Sequence, residues 1–308
     1  MSNTHSIMFH HFHDEKHAKS EGSLSSSEFS EMIDWLSKKF KLLGAKEYLI
    51  KHNAGNLDSD DICLSFDDAL LCQYDVALPV LNQKGLSAFF FVYSSALSGE
   101  PDKLEIYRYF RTNAYDSIDD FYEDFFGMVN SHFESQLSFH KDKFLKLDYL
   151  SAYPFYSKND RWFRYLRDHF LEQSTYNDFM QDLMHGKNFN TNEIIDRLWM
   201  SESNLKEISK KGHLIGLHSF SHPTRISKLN YHEQKNEYVT NYRHLENLVG
   251  KIVSMSHPCG DYNSDTLSIL KDLGIQIGFR SSLEPNEIKS KYEIPREDHV
   301  NILNQMKL

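Results

Sequence analysis

Six short apolar runs constrain this chain more than any other feature: Ile7-Met8-Phe9, Asp61 to Phe66, Ala88 to Tyr93, His213 to Leu217, Ile252 to Ser256 and Ile275 to Phe279. Each has the length and composition of a buried strand, and helical stretches separate them. Strands that alternate with helices must run parallel, because each crossover lays a helix over the sheet before the next strand begins. The helices show their own signals. Ser25-Ser26-Ser27 offers N-caps, and Phe29, Met32, Ile33, Leu36 and Phe40 then recur at helical spacing. Ala69 to Lys84 reads as a helix stopped by Gly85, and further helices are expected over Leu205–Lys211, His232–Val249 and Ser264–Leu273. The fold class is therefore α/β, with any site at the carboxyl ends of the strands.

The rhythm breaks between residues 99 and 198. Here the chain is aromatic and acidic, with Phe121, Tyr122, Phe125, Phe126 and Met128 at helical spacing, and Trp162, Phe163, Tyr165, Leu166 and Phe170 repeating it. The expected organisation is a barrel from 1–98 and 199–308, with 99–198 as a helical insertion. That insertion could shape substrate access as a lid, serve as structure only, or form a surface for self-association into a homo-oligomer.

With 308 residues and 40% apolar composition, one large core is within reach. A net charge of −10 without a Lys/Arg stripe excludes nucleic acid and anionic membrane as main partners. Cys63, Cys72 and Cys259 form no CxxC pair, which reads as free thiols in a reducing compartment. From Met1-Ser2-Asn3-Thr4 onward there is no basic segment followed by an apolar run, and no stretch is long and apolar enough to span a membrane. The expected localisation is cytoplasmic.

Chemistry concentrates at two strand ends. Ser65-Phe66-Asp67-Asp68 closes one run with paired carboxylates, and His218-Ser219-Phe220-Ser221-His222 closes another with two histidines. Adjacent strand residues point to opposite faces, but a turn past the strand end can bring both aspartates into one cleft. Two imidazoles and a carboxylate hold a divalent cation with coordination positions left over, and the second carboxylate is a base. Zinc suits these donors best, and iron, cobalt or nickel are also accepted.

These segments resemble the polysaccharide deacetylase family, carbohydrate esterase family 4, built on an irregular (β/α) barrel. Ser65-Phe66-Asp67-Asp68-Ala69 resembles its T-F-D-D-G motif, and His218–His222 meets its H-[ST]-x-x-H motif in full. Gly212-His213-Leu214-Ile215-Gly216-Leu217 resembles the lead-in to the second motif. Ser256-His257-Pro258-Cys259-Gly260-Asp261-Tyr262-Asn263 resembles the third. The resemblance covers roughly residues 6–95 and 203–300 and leaves the insertion unmatched. It implies Asp67 as catalytic base, Asp68, His218 and His222 as ligands of one divalent metal ion, and the Cys259 backbone N–H as oxyanion donor. Ser219 would support a ligand or its loop. The family's aspartate-orienting arginine is replaced by Ser256, with Arg296 as the stand-in from the last strand. For the general acid two histidines compete: His10, in a Met8-Phe9-His10 opening similar to that of many relatives, and His299, after Asp298. Alanine at 69, where the family has glycine, implies a more helical turn after Asp68.

The function implied is removal of an N-acetyl or N-formyl group from an amino sugar. Its substrate would be a glycan, nucleotide sugar or lipid-linked glycan of surface-polysaccharide (lipopolysaccharide or O-antigen) assembly. Two other readings stand beside it: hydrolysis of another C–N bond in a cyclic amide or ureide, and a decayed barrel that only binds glycan.

Overall fold

Parallel pairing runs through the whole sheet of the protein, seen in a computed structural model that describes residues 5–151, 156–191, 194–284 and 287–307. Residues 1–4, where the leader was sought, lie outside the described residues. The strands are β1 (His5–Phe9), β2 (Lys41–Leu42), β3 (Asp61–Phe66), β4 (Phe89–Val92), β5 (Leu214–Leu217), β6 (Ser254–Ser256), β7 (Ile277–Phe279) and β8 (Arg296–Asp298). Their order is β7-β6-β5-β4-β3-β1-β8, with β2 pairing the start of β3. The two ends of this order meet through one segment. Ile294 N–H donates to Gly278 O of β7, and Ser6 N–H of β1 donates to Pro295 O. The result is a nearly closed (β/α) barrel.

The chain divides into two compact units. The first comprises Met1–Lys19, Ser23–Asp102 and Ile195–Leu308, and holds the sheet. Its helices are α1 (Ser26–Lys39), α2 (Ala45–Ala54), α3 (Leu78–Lys84), α8 (Ile195–Leu198), α9 (Glu202–Lys210), α10 (Tyr231–Val249), α11 (Ser264–Asp272) and α12 (His299–Met306). The second comprises Ser20–Gly22 and Lys103–Ile194, with α4 (Lys103–Asn113), α5 (Ile118–Leu147), α6 (Lys158–Tyr165) and α7 (Gln173–Gly186). Serines cap α5 and α6, each with an aspartate three residues into the helix reaching back to the cap, so the first turns lose no backbone partner. Inside this unit Phe121, Phe125, Phe163 and Tyr176 pack mostly edge-to-face, with Phe125 and Phe163 centroids 4.9 Å apart.

Alternation along the strands sorts the barrel wall. Phe9, Phe66 and Phe90 share the outward face, with Phe66 stacked on Phe90 at 4.7 Å and Phe29 of α1 packed edge-on against Phe9 at 5.1 Å. The residues between them face inward. Cys63, Phe89, Phe91, Ile277 and Phe279 form the barrel core with Leu43, Ala45 and Tyr48. Roughly 1.5–3 kcal/mol for each large side chain taken out of water makes this wall the main source of stability.

Four expectations need correction. Phe40 is not on the core face of α1; it is the extended C-cap, since the helix ends at Lys39. The helix expected from Ala69 begins two residues later: Leu70 bridges to Trp199, and helical turns then run unbroken over 71–84, with a π-helical turn at Gln73–Ala77 leading directly into α3. Ala69 itself is not helical. It takes a left-handed φ of 53° directly after Asp68 at 76°, because the chain must reverse tightly off β3. In α5, Val129 rather than Met128 fills the buried position after Phe125, and the helix is interrupted at Phe133.

Candidate metal centre

Period-two alternation carries the inward face of each strand into the mouth of the barrel. Ser6 and Met8 lead to His10, Cys63 and Ser65 to Asp67, Gly216 to His218, and Ser254 to Ser256. Asp68 would face outward by the same rule, but its positive φ turns it back in. Ser219 and His222 do likewise at 60° and 56°. Left-handed conformations at non-glycine residues cost roughly 1–3 kcal/mol each and persist where the surroundings over-determine them.

Those surroundings are specific. Asn241 Oδ1 accepts from His218 N–H, and its Nδ2 donates to Val92 O and Ser94 Oγ, which ties β4, β5 and α10 together below the histidine. Glu237 accepts from the N–H groups of Phe220 and Ser221 and from Ser221 Oγ. Ser219 Oγ accepts from His222 N–H at 3.1 Å, so it braces the loop.

Asp68, His218 and His222 each offer one donor atom, all within 4.8 Å of one another. Asp68 Oδ1 lies 3.4 Å from His218 Nε2 and 3.5 Å from His222 Nε2, and it is buried without a hydrogen-bond partner among the described residues. The other ring nitrogens are engaged. His218 Nδ1 lies 2.9 Å from Ser256 O, which requires it to carry the proton and leaves the Nε2 lone pair facing Asp68. His222 Nδ1 lies 3.4 Å from Asp102 Oδ2. An orphaned carboxylate oxygen facing two imidazole nitrogens, each oriented from behind, is a donor set that fits a divalent cation.

Beside it, Asp67 is fully buried and gripped from one side. Arg296 donates from Nη1 to Oδ1 and from Nη2 to Oδ2, both at 2.7 Å, and Nη2 also reaches Ser256 Oγ at 2.7 Å. This fork-to-fork pair fixes the carboxylate plane. Burial pushes the Asp67 pKa up, but the Arg296 guanidinium and the His218 ring outweigh it and hold the group below the ordinary carboxylate range. Burial is likewise the largest influence on Asp68 and opposes its charge; His222, His218 and His10 overcome it and lower its pKa far below the usual range.

His10 Nε2 lies 3.9 Å from Asp67 Oδ2 and 3.9 Å from Asp68 Oδ2. His299 is engaged elsewhere: its Nδ1 is 3.2 Å from Met8 O and its ring stacks on Phe9. Cys259 is exposed and in a left-handed conformation, inside the turn Pro258–Gly260 that follows β6. The structure thus brings together His10, Asp67, Asp68, His218, His222 and Arg296. Sequence reasoning did not pick out Asp102, whose only signal is a carboxylate beyond the end of β4, nor Gln73, a buried amide in the π-helical turn.

Comparison with known proteins adds to this geometry. Residues 179–278 match the family model described as polysaccharide deacetylase, a span that includes both histidines but neither aspartate. No curated protein matches the sequence. Among solved structures, the Streptococcus pyogenes deacetylase PplD in complex with acetate aligns at 12% identity and TM-score 0.58, covering 100% of this chain and 97% of that one. IcaB from Ammonifex degensii aligns at 15% identity and TM-score 0.58, over 96% and 91% of the two chains. A de-N-acetylase from Aggregatibacter actinomycetemcomitans aligns at 13% identity and TM-score 0.54, over 95% and 93%. At these identities the likeness is one of fold.

Proposed function

We propose that this chain, whose residues 179–278 match the polysaccharide deacetylase model, is a metal-dependent hydrolase of that family. It would remove the N-acetyl (or N-formyl) group from an amino sugar in a surface-polysaccharide or glycoconjugate precursor. One observation carries the reading: Asp68, His218 and His222 converge within 4.8 Å, with the second carboxylate, Asp67, 3.8 Å from His218 Nε2. A module that only binds glycan has no use for a buried base beside a cation site. The names of two of the structural relatives, a deacetylase in complex with acetate and a de-N-acetylase, point the same way.

The roles follow from placement. Asp68, His218 and His222 hold the cation, which when bound polarises the amide carbonyl and acidifies water beside it. Asp67 takes the proton of the attacking water. Arg296 keeps its carboxylate ionised and in plane, so one oxygen edge stays presented to the site. The backbone N–H of Cys259 is the donor assigned to the oxyanion, a role indifferent to its side chain. His10 returns a proton to the leaving amine, since it is the histidine held 3.9 Å from both carboxylates. Zinc is the cation these donors favour. Three cysteines without a CxxC pair fit a reducing compartment.

The test pairs elemental analysis with acetate release from N-acetylated amino sugars after metal reconstitution. We expect roughly one equivalent of metal per chain, as a three-ligand site requires, and its loss in His218→Ala and His222→Ala. Failure to take up metal under any reconstitution sinks the hydrolase reading. Metal uptake without release from any N-acyl amino sugar redirects the search to other amides.

A further inference from the structure

Gln73 is buried to 0% exposure, and its side chain spans the two segments that carry the proposed acid and base. Its Nε2 donates to His10 O at 2.8 Å and to Asp67 O at 2.6 Å. We propose that Gln73 is a positioning residue that locks the His10 backbone to the Asp67 backbone, so that acid and base keep a fixed separation across the cation site. The inference rests on the roles given above to Asp67 and His10.

The register of the sheet shows why such a lock is needed. The β1–β3 ladder ends at the Phe9–Phe66 pair, and its last rung is the Asp67 N–H donating to Phe9 O at 3.1 Å. His10 and the Asp67 carbonyl both lie past that rung, where sheet pairing no longer sets their spacing. The next residues, Asp68 and Ala69, have φ of 76° and 53°, so the chain leaves β3 through two left-handed conformations that would relax if released. Gln73 supplies the missing rung. Its two amide hydrogens meet two carbonyl oxygens, and the flipped orientation would set Oε1 against both, so the amide can sit only one way. Its Oε1 is buried without a hydrogen-bond partner among the described residues. A buried amide that leaves its acceptor unmatched to bridge these two carbonyls is placed for that bridge rather than for packing.

Gln73 is the first residue of a π-helical turn, Gln73–Ala77, and such turns gather at functional sites. Its own N–H donates to Leu70 O, closing the turn behind Asp68. A second, weaker link joins the same loops, where Phe12 N–H approaches Cys72 Sγ at 3.4 Å.

The test uses the full, metal-loaded chain with Gln73→Met, which keeps the shape and loses both donors, and Gln73→Glu, which turns acceptors toward the two carbonyls. For both we expect kcat to fall by about 10- to 100-fold at unchanged KM and unchanged metal content, the size of effect a misplacement of about 1 Å produces. Amide hydrogen exchange should rise about tenfold in peptides covering 8–13 and 65–70 while the β5 peptide stays unchanged. Unchanged kcat per bound metal in a folded Gln73→Met chain overturns the inference, as does unchanged exchange. Should the variants not fold, the wild type decides: two hydrogen-bonded Gln73 side-chain amide protons exchange slowly, and fast exchange refutes the bridge. A wild type that releases no acetate instead defeats the functional reading, and the exchange measurements still decide on Gln73.

Discussion

At Asp67 a charge is buried and yet must remain a base, and Arg296 resolves the conflict by donating to both oxygens. Two substitutions separate the halves of that arrangement. Asp67→Asn keeps shape and metal ligands but removes the proton acceptor, so acetate release should fall by about 10²–10⁴-fold with metal content unchanged. Arg296→Lys keeps the charge and loses the fork, because an ammonium cannot meet both oxygens in one plane. Turnover should drop roughly tenfold at constant metal content, measured as kcat per bound metal. Arg296→Met leaves Asp67 buried without compensation and should cost about 3–5 kcal/mol in urea unfolding at neutral pH. The paired aspartates and the two histidines were legible in the sequence because each pair closes an apolar run, where strand ends converge. Arg296 was legible only as a guess, since Arg296-Glu297-Asp298 is too short and polar to read as strand β8. Asp102 and Gln73 reach the site from a loop and a π-helical turn, whose geometry leaves no periodic trace.

The elements that deliver these side chains can be tested through small residues and one buried histidine. Gly216 in β5 leaves no room for a side chain: a Cβ there would sit 2.6 Å from Ser254 Oγ and 2.7 Å from the Phe91 ring. Gly216→Ala should therefore destabilise the chain by about 1–3 kcal/mol and weaken metal uptake, because β5 aims His218. Ala69→Gly is the contrasting case. Relief of the left-handed alanine returns about 1 kcal/mol, and the freer unfolded chain takes back much of it, so the unfolding midpoint should hardly move. The helix expected over 69–84 starts at 71 instead, because sequence periodicity cannot register a reversal forced by sheet geometry. His213, just before β5, accepts from Ala88 N–H on Nδ1, so protonation there would set two donors face to face. Burial, with a smaller push from Lys211, lowers its pKa to about 4 from an unfolded value of 6.5. The unfolded chain then binds the proton first. Stability is full above pH 6.5 and is lost as pH falls toward 4, by on the order of 3 kcal/mol from this group. His213→Gln keeps an acceptor for Ala88 and cannot titrate, so urea midpoints measured between those pH values should show a flatter acid slope.

Over the whole molecule, the second unit's long segment, Lys103–Ile194, enters between β4 and β5, yet every candidate ligand belongs to the first unit. Asp68 leaves β3 before the insertion and His218 and His222 leave β5 after it, so a cation would link parts of the first unit that the insertion separates in sequence. Binding to the folded state alone stabilises by RT ln(1 + [L]/Kd), about 2.7 kcal/mol when metal exceeds its dissociation constant a hundredfold. That free energy is confined to the unit whose unfolding destroys the site. Hydrogen exchange measured with zinc and with chelator should therefore show protection gained at the ends of β3 and β5 and across their sheet neighbours. Peptides from 103 to 151 and 156 to 191 should exchange at equal rates in both conditions. Equal protection gained in both units would mean that they unfold as one cooperative body. No metal-dependent protection in either would remove the cation from the reading of Asp68, His218 and His222, and with it the chemistry proposed for Asp67.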